Sequence, residues 1–450
     1  MSHPAWRIFH DIDLARASLL KRRSLRDIQP PESVLARTAA LFGEPLTPDE
    51  AVRRIIASVR QGGDTALLRW NRRLDNSDKP QLQVAPEQLA AALASIPADL
   101  RESLQIAARR IRDFHEKQPL QSWIDSSEQG ALGQLIHPLD SVGVYVPGGS
   151  APLPSSLLMT VIPAQVAGVG EIAVCTPPGS GGDDIHPVIL AAAAVAEVER
   201  LYRVGGAQAI AALAYGTQSI PRVASIVGAG NLFVTLAKQQ VYGDVGIDGL
   251  LGPTETVVIA DDHADPRLAA ADLLAQAEHD LLASAILLTP SEDLAQAVGA
   301  EIARQLEALG RRDIILGALG GNSGCVVTTD LEQAFQLAND YAAEHLCLLV
   351  EDAWSWLGRV RNAGGVFLGE HSYEVLGDYV AGPSHVMPTG GSARFASPLN
   401  VLNFVKITSL IALDKNAARQ LSAPAQTLAR AESLDAHAAS AQLRARGGSP

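Results

Sequence analysis

The sequence predicts an α/β fold built from two parallel sheets covered by helices. Between residues 142 and 243, short apolar runs alternate four times with longer helical stretches. That is the pattern of strands joined by crossover helices. From residue 256 the alternation begins again over a stretch of similar size. Composition agrees: hydrophobic residues make up 47% but aromatics only 4%, so Ala, Leu and Val supply the core, as suits helices packed on parallel sheets. At 450 residues the chain has room for two or three domains.

In chain order, residues 1–35 are charged, end at Pro30-Pro31 and predict a helical arm rather than a core element. Residues 48–118 hold two amphipathic helical stretches. The first opens at Thr47-Pro48, an N-cap followed by Pro at the first helical position. The strand VGVYV (142–146) leads through the loop PGGSAPLP into the helix SSLLMTVIPAQVAGV (155–169). The pairs EIAVCTP and HPVILAAAAVAEVER, LYRVG and GAQAIAALAYG, and ASIVG and NLFVTLAKQQVYG repeat that unit. The second series opens with TVVIADD (256–262) and a helix capped by Asp265-Pro266. SAILLTP and GCVVTTD each precede a helix, and LCLLVED and VFLG follow. Residues 370–400 form a long loop rich in Gly, Pro, Ser and His, and long loops inside compact proteins are commonly functional. Two helical segments finish the chain.

The expected organisation is an arm (1–35), a discontinuous first α/β domain (36–145 and 254–398), a second α/β domain (146–253) and a C-terminal dimerisation segment (399–450). The net charge of −13 argues against nucleic acid as a partner, because phosphate binding needs clustered Lys and Arg. The most apolar stretch, Val188 to Val198, is too short to span a bilayer. The N-terminal segment lacks a cationic start and a continuous apolar run, as a secretory leader requires. Cys175, Cys325 and Cys347 form neither a disulfide framework nor a CxxC site. A cytoplasmic protein is expected.

Chemistry is suggested by polar residues beside histidines. In DLLAQAEHD, Gln276 and His279 are three apart near a helix end. They form either a solvated helix terminus or two ligands of one metal. Glu344 and His345 stand at a helix-to-strand junction, Asp378 lies seven residues before His385, and Glu432 lies five before His437. Zinc needs a closed set of nitrogen, oxygen or sulfur ligands, and Gln276, His279, Asp378 and His437 supply one if folding unites them. Gly-containing turns after three strands, PGG, GGAQAI and VGAGN, lie where parallel sheets bind nucleotides. Each is equally an ordinary turn into a helix.

Taken together, VYVPGGSAPLPSSLLMTVIPAQVAG, RVGGAQAIAALAYGT, GDVGIDGLLGPTE, DLLAQAEHD, AAEHL, GDYVAGPSHVMPTGG and AESLDAH resemble the histidinol dehydrogenase family in order and spacing, over nearly the whole chain. The resemblance implies two Rossmann-like domains and a cytoplasmic enzyme that oxidises L-histidinol to L-histidine through histidinaldehyde, with two NAD. It implies one Zn²⁺ per subunit on Gln276, His279, Asp378 and His437, and acid/base catalysis by Glu344 and His345. Positions resembling substrate contacts are Thr254, His385 and Glu432, together with His345 and the four metal ligands. Those resembling NAD contacts are Tyr145, Gln208 and Asn231. It further implies a homodimer in which Glu432 and His437 complete the partner's site. Thr254 stands where the family often has Ser, and Ala229 where Pro is usual. The alternative reading is a zinc- and NAD-dependent dehydrogenase of the same scaffold acting on another small hydroxy compound, such as a sulfonated diol.

Overall fold

The structure is a computed structural model that describes residues 6–22, 32–148, 152–179 and 184–445. Pro30-Pro31 and part of the PGGSAPLP loop lie outside the described residues. The chain divides into two compact units, one of residues 1–117 and 140–404, the other of 118–139 and 405–450.

In chain order, the first unit begins with β1 (Ile8–Phe9), α1 (Ile12–Ala17), α2 (Glu32–Phe42), α3 (Pro48–Leu74), α4 (Pro86–Ser95) and α5 (Ala98–His115). The second unit supplies β2 (Trp123–Ser127) and β3 (Gly130–Pro138). The first resumes with β4 (Ser141–Tyr145), α6 (Pro154–Val166), β5 (Glu171–Thr176), α7 (Pro187–Val195), β6 (Arg200–Arg203), α8 (Gly206–Tyr215), β7 (Ser225–Val227), α9 (Leu232–Val241) and β8 (Gly246–Ile247). Then come β9 (Glu255–Ala260), α10 (Pro266–Ala277), β10 (Ser284–Thr289), α11 (Glu292–Leu306), α12 (Arg312–Gly321), β11 (Gly324–Val327) and α13 (Leu331–Tyr341). It closes with β12 (His345–Leu349), α14 (Ala353–Trp356), β13 (Gly365–Leu368) and α15 (Glu374–Tyr379). The second unit ends in β14 (Val405–Leu413), α16 (Lys415–Ala431) and α17 (Asp435–Ala445).

Two sheets organise the first unit, as the alternation predicted. One has the order β6-β5-β4-β7-β8, the other β1-β11-β10-β9-β12-β13, and every pairing in both is parallel. Strands β9 and β10 are buried at every position, the continuous apolar runs of a sheet covered on both faces. Successive side chains of β9 feed opposite cores. Val257 and Ile259 pack with α13, while Val258 and Ala260 pack with α10, α11 and α12. The predicted caps are present: Thr47 and Glu50 form a reciprocal capping box on α3, and the Asp265 side chain caps α10 ahead of Pro266.

The boundaries differ from expectation in two places. Strand β4 pairs with β5 and β7, and α3 packs on α8 and α9, α4 on α7 and α5 on α6. Residues 48–145, apart from the β2–β3 hairpin, therefore belong with the five-stranded sheet, not with 254–398. The reason is the α3 stripe Val52, Ile55, Ile56 and Val59, which shares a core with Ile210 and Leu213 of α8. The described part of the N-terminal segment is not a free arm either. It adds β1 to the edge of the six-stranded sheet and buries Trp6, Leu19 and Leu20 in that sheet's cores.

In the second unit, the β2–β3 hairpin pairs antiparallel and β14 joins β3, giving the order β14-β3-β2. Helices α16 and α17 pack against each other. Ile407 and Ile411 on β14, Leu421 and Leu428 on α16 and Leu443 on α17 remain exposed. Among the described residues, no helix is long and apolar enough to cross a membrane.

Candidate active site

Parallel α/β packing runs each helix back to the amino-terminal edge of its sheet. There the last turn of α10 meets the first residues of β9 and β12, whose register sets His345 beside Thr256. Gln276, in that last turn, is fully buried. Its Nε2 donates to Thr254 Oγ1 at 2.7 Å, and Thr254 Oγ1 donates to Glu344 Oε2 at 2.6 Å. The Glu255 N–H also donates to Glu344 Oε2, at 3.1 Å. This chain fixes the amide of Gln276, and its Oε1 is left buried without a hydrogen-bond partner. Thr254 thus keeps a working hydroxyl at the position where the family often has Ser.

His345 is also buried. Its Nδ1 lies 3.2 Å from the Glu255 carbonyl, to which the neutral ring donates, and its Nε2 has no hydrogen-bond partner. Three carboxylates surround the ring: Glu344 and Glu374 lie 3.8 Å from Nδ1, and Asp378 lies 3.6 Å from Nε2. Burial opposes charge on this imidazole, but Glu374, Glu344 and Asp378 outweigh it and lift the group to about 10. Burial raises Glu344 to about 7, against the pull of His345, Thr254 and the Glu255 N–H. Burial also works to raise Asp378, yet His345, His385 and His279 hold it below the ordinary carboxylate range.

His385 Nδ1 donates to the Asp378 carbonyl at 2.8 Å, and its Nε2 lies 3.3 Å from Ser156 Oγ. His279 falls just past the α10 C-cap, exposed, close enough for its charge to act on Asp378 and His385. The first unit therefore brings together Thr254, Gln276, His279, Glu344, His345, Asp378 and His385. The second unit carries Glu432, at the C-cap of α16, and His437, in the first turn of α17, both exposed.

Glu374 went unnoticed in the sequence. It is buried, accepts a hydrogen bond from Thr256 Oγ1 and is raised by burial. The available signal was its spacing: four residues before Asp378 on α15, it shares that residue's face. Ligand atoms of His345, Glu374 and Asp378 lie within 4.8 Å of one another. A cation fits this corner. The bare Gln276 Oε1, the Asp378 carboxylate and the neighbouring His279 are suitable donors, and the partial negative charge of the α10 C-terminus favours positive charge.

The nucleotide candidates line a cleft of about 660 Å³ that also reaches Thr254 and His279. They sit at the carboxyl edge of the five-stranded sheet. Tyr145 ends β4, and its hydroxyl accepts from the Gly206 N–H at 3.1 Å. Gln208 lies in the first turn of α8, fully buried, its Oε1 without a partner. Asn231 caps α9 by accepting from the N–H groups of Phe233 and Val234. The turn before Asn231 is clamped from below. Lys238, 2% exposed, donates to the Gly228 carbonyl at 2.9 Å and pairs with Asp248, which accepts from the Gly228 N–H at 2.7 Å. Gly228 has φ +114, and a Cβ there would lie 2.2 Å from the Tyr145 carbonyl oxygen. Lys238→Ala is expected to leave the Asp248 carboxylate buried and unpaired, at a loss of about 3–5 kcal/mol. A urea midpoint close to that of the parent would contradict this.

The model of the family described as histidinol dehydrogenase matches residues 46–445. The histidinol dehydrogenase of Deinococcus radiodurans is 51% identical over 432 residues, 96% of this chain and 98% of that one. That of Thermus thermophilus is 52% identical over 415 residues, covering 92% and 98%. The crystal structure of histidinol dehydrogenase from Elizabethkingia anophelis aligns at a TM-score of 0.90 and 33% identity, covering 99% of each chain.

Proposed function

The chain belongs to the histidinol dehydrogenase family, and we propose that it oxidises L-histidinol to L-histidine through the aldehyde, using zinc and two NAD per turnover. The observation that carries this reading is the bond series Gln276–Thr254–Glu344, which fixes the buried Glu344 carboxylate and leaves Gln276 Oε1 bare. Gln276, His279 and Asp378 would hold zinc, with His437 as the fourth ligand. Bound there, zinc would anchor the amino alcohol by its nitrogens, and NAD would accept hydride first from the alcohol carbon and then from the hydrated aldehyde.

The remaining work falls to side chains of this protein. His345 directs its Nδ1 proton at the Glu255 carbonyl and leaves Nε2 without a partner. The carboxylates around it favour the protonated ring, and a cation held by Asp378 would offset them and free the Nε2 lone pair that accepts the alcohol proton. The surrounding carboxylates then stabilise the imidazolium. Glu344 keeps Oε1 outside its bonds to Thr254 and the Glu255 N–H, and Oε1 takes a proton from the water that adds to the aldehyde. Fixing both groups by buried hydrogen bonds supplies orientation, a large share of the rate. The test is the yield of NADH per histidinol consumed by the zinc-loaded protein. Two NADH with histidine as product support the reading, and none refutes it. The alternative of another small hydroxy compound is not favoured by the relatives.

The proposal extends to a cytoplasmic homodimer in which His437 and Glu432 of one protomer complete the site of its partner. The apolar side chains exposed along β14, α16 and α17 support it. Chains carrying His437→Ala and Glu344→Ala are each expected to be inactive alone. Mixed as dimers, they should regain about a quarter of parental activity, because half the dimers are mixed and each has one intact site. Recovery of none would place His437 in its own chain's site.

A further inference from the structure

The nucleotide cleft contains a carboxylate to which the family pattern gives no role. Asp75 follows the last turn of α3 and lines the cleft with Tyr145, Gln208 and Asn231. Its Oδ2 accepts from Gln208 Nε2 at 3.2 Å, and the Gly205 N–H also bonds to it. Its charge is felt at Tyr145. Asp75 is thus held from several sides against two of the three residues matched to NAD contacts. Burial raises it only to about 6, so it is charged at neutral and alkaline pH. Nicotinamide has to reach the Thr254–Glu344–His345 chain, and none of those residues lies on β4, α3 or α8. With nicotinamide at Thr254 and His279, which line the same cleft, we assign the part beside Asp75 to the adenosine half.

We propose that Asp75 accepts a hydroxyl of the adenosine ribose and rejects a 2′-phosphate, setting the preference of this enzyme for NAD over NADP. The proposal rests on the reading of the chain as an NAD-linked dehydrogenase. A fixed carboxylate accepts hydrogen bonds from a ribose diol, whereas a phosphate in the same place sets like charges against each other in a half-buried cleft. Rejection of the wrong ligand by repulsion is the cheaper route to specificity here, since both nucleotides offer the same remaining contacts. Two other charged side chains, Asp280 and Arg37, line the cleft. Asp280 is exposed and adjoins His279, at the reacting end. Arg37 acts on Asp75 from an exposed position, and it becomes an attraction for the 2′-phosphate once the Asp75 charge is gone.

The experiment compares kcat/KM for NAD and NADP, with histidinol, in the parent and in Asp75→Asn, which keeps an acceptor for Gln208 and Gly205. The parent is expected to favour NAD by about a hundredfold or more, and the variant to narrow that ratio by about tenfold. A folded, active variant with an unchanged ratio overturns the proposal, and so does a parent that prefers NADP. A purely structural Asp75 would change thermal stability and leave the ratio alone. A parent that forms no NADH from histidinol overturns the underlying reading instead. Calorimetry on the parent needs no variant: AMP is expected to bind about tenfold more tightly than adenosine 2′,5′-bisphosphate, and equal affinities overturn the proposal.

Discussion

Glu344→Gln is expected to lower turnover by about 10²- to 10⁴-fold, the usual contribution of a positioned acid or base. The amide is nearly the same size and its oxygen still accepts the Thr254 hydroxyl, so the fold and substrate affinity should change little. What disappears is the ability to take a proton from water. The defect should therefore be larger with histidinaldehyde as substrate than with histidinol, and the aldehyde should accumulate. The pH profile gives a second reading. Burial raises Glu344 to about 7, so below that pH the group is protonated and cannot act as a base. Activity of the parent should rise with pH through about 7 as Glu344 loses its proton. The variant should lack that limb while keeping the rise at higher pH that His345, lifted to about 10, contributes. A variant within about tenfold of the parent would remove Glu344 from the chemistry.

The second large effect concerns the metal. Stripping divalent metal with a chelator should abolish activity, and zinc should restore it. Gln276→Leu should lower zinc occupancy after dialysis, read by elemental analysis rather than by turnover. Its carbonyl oxygen is buried without a partner, a state that commonly costs about 1–3 kcal/mol unless something occupies it. Because zinc binds the folded chain through residues distant in sequence, it should also raise the unfolding temperature of the parent more than that of the variant. Full zinc occupancy in Gln276→Leu would remove that residue from the ligand set.

Much of the fold was legible because strands such as TVVIA and SAILLT are apolar at every position, which only a sheet covered on both faces explains. The assignment of α3, α4 and α5 to a sheet was not legible. An amphipathic stripe shows that a helix has a buried face, not what covers it. Strand β14 was missed because all nine of its residues are half-buried or exposed in an otherwise helical tail, and its partner β3 precedes it by about 270 residues. In the site, Glu344 and His345 stood out as adjacent acid and base at a helix-to-strand junction. Their surroundings did not. Thr254 and Glu344 are 90 residues apart, and Asp75 and Gln208 are 133 apart, distances over which periodicity is silent. The expectation that ligands gather at the carboxyl edge suits Tyr145, Gln208 and Asn231. It does not suit the Glu344–His345 pair, which opens β12 at the opposite edge of the other sheet.

That reversal leaves the far rim of the six-stranded sheet without catalytic duty. The turns directly after β9, β10, β11 and β12 hold the half-buried Asp261 with the exposed Asp262, His263 and Glu351, and none of the residues matched to chemistry. Sequence drift can accumulate there without reaching the reacting atoms. For protein engineering, an affinity tag or fluorescent domain spliced between Asp261 and Ala264 would sit one strand length from catalysis, whereas the same insertion near Thr254 would break it.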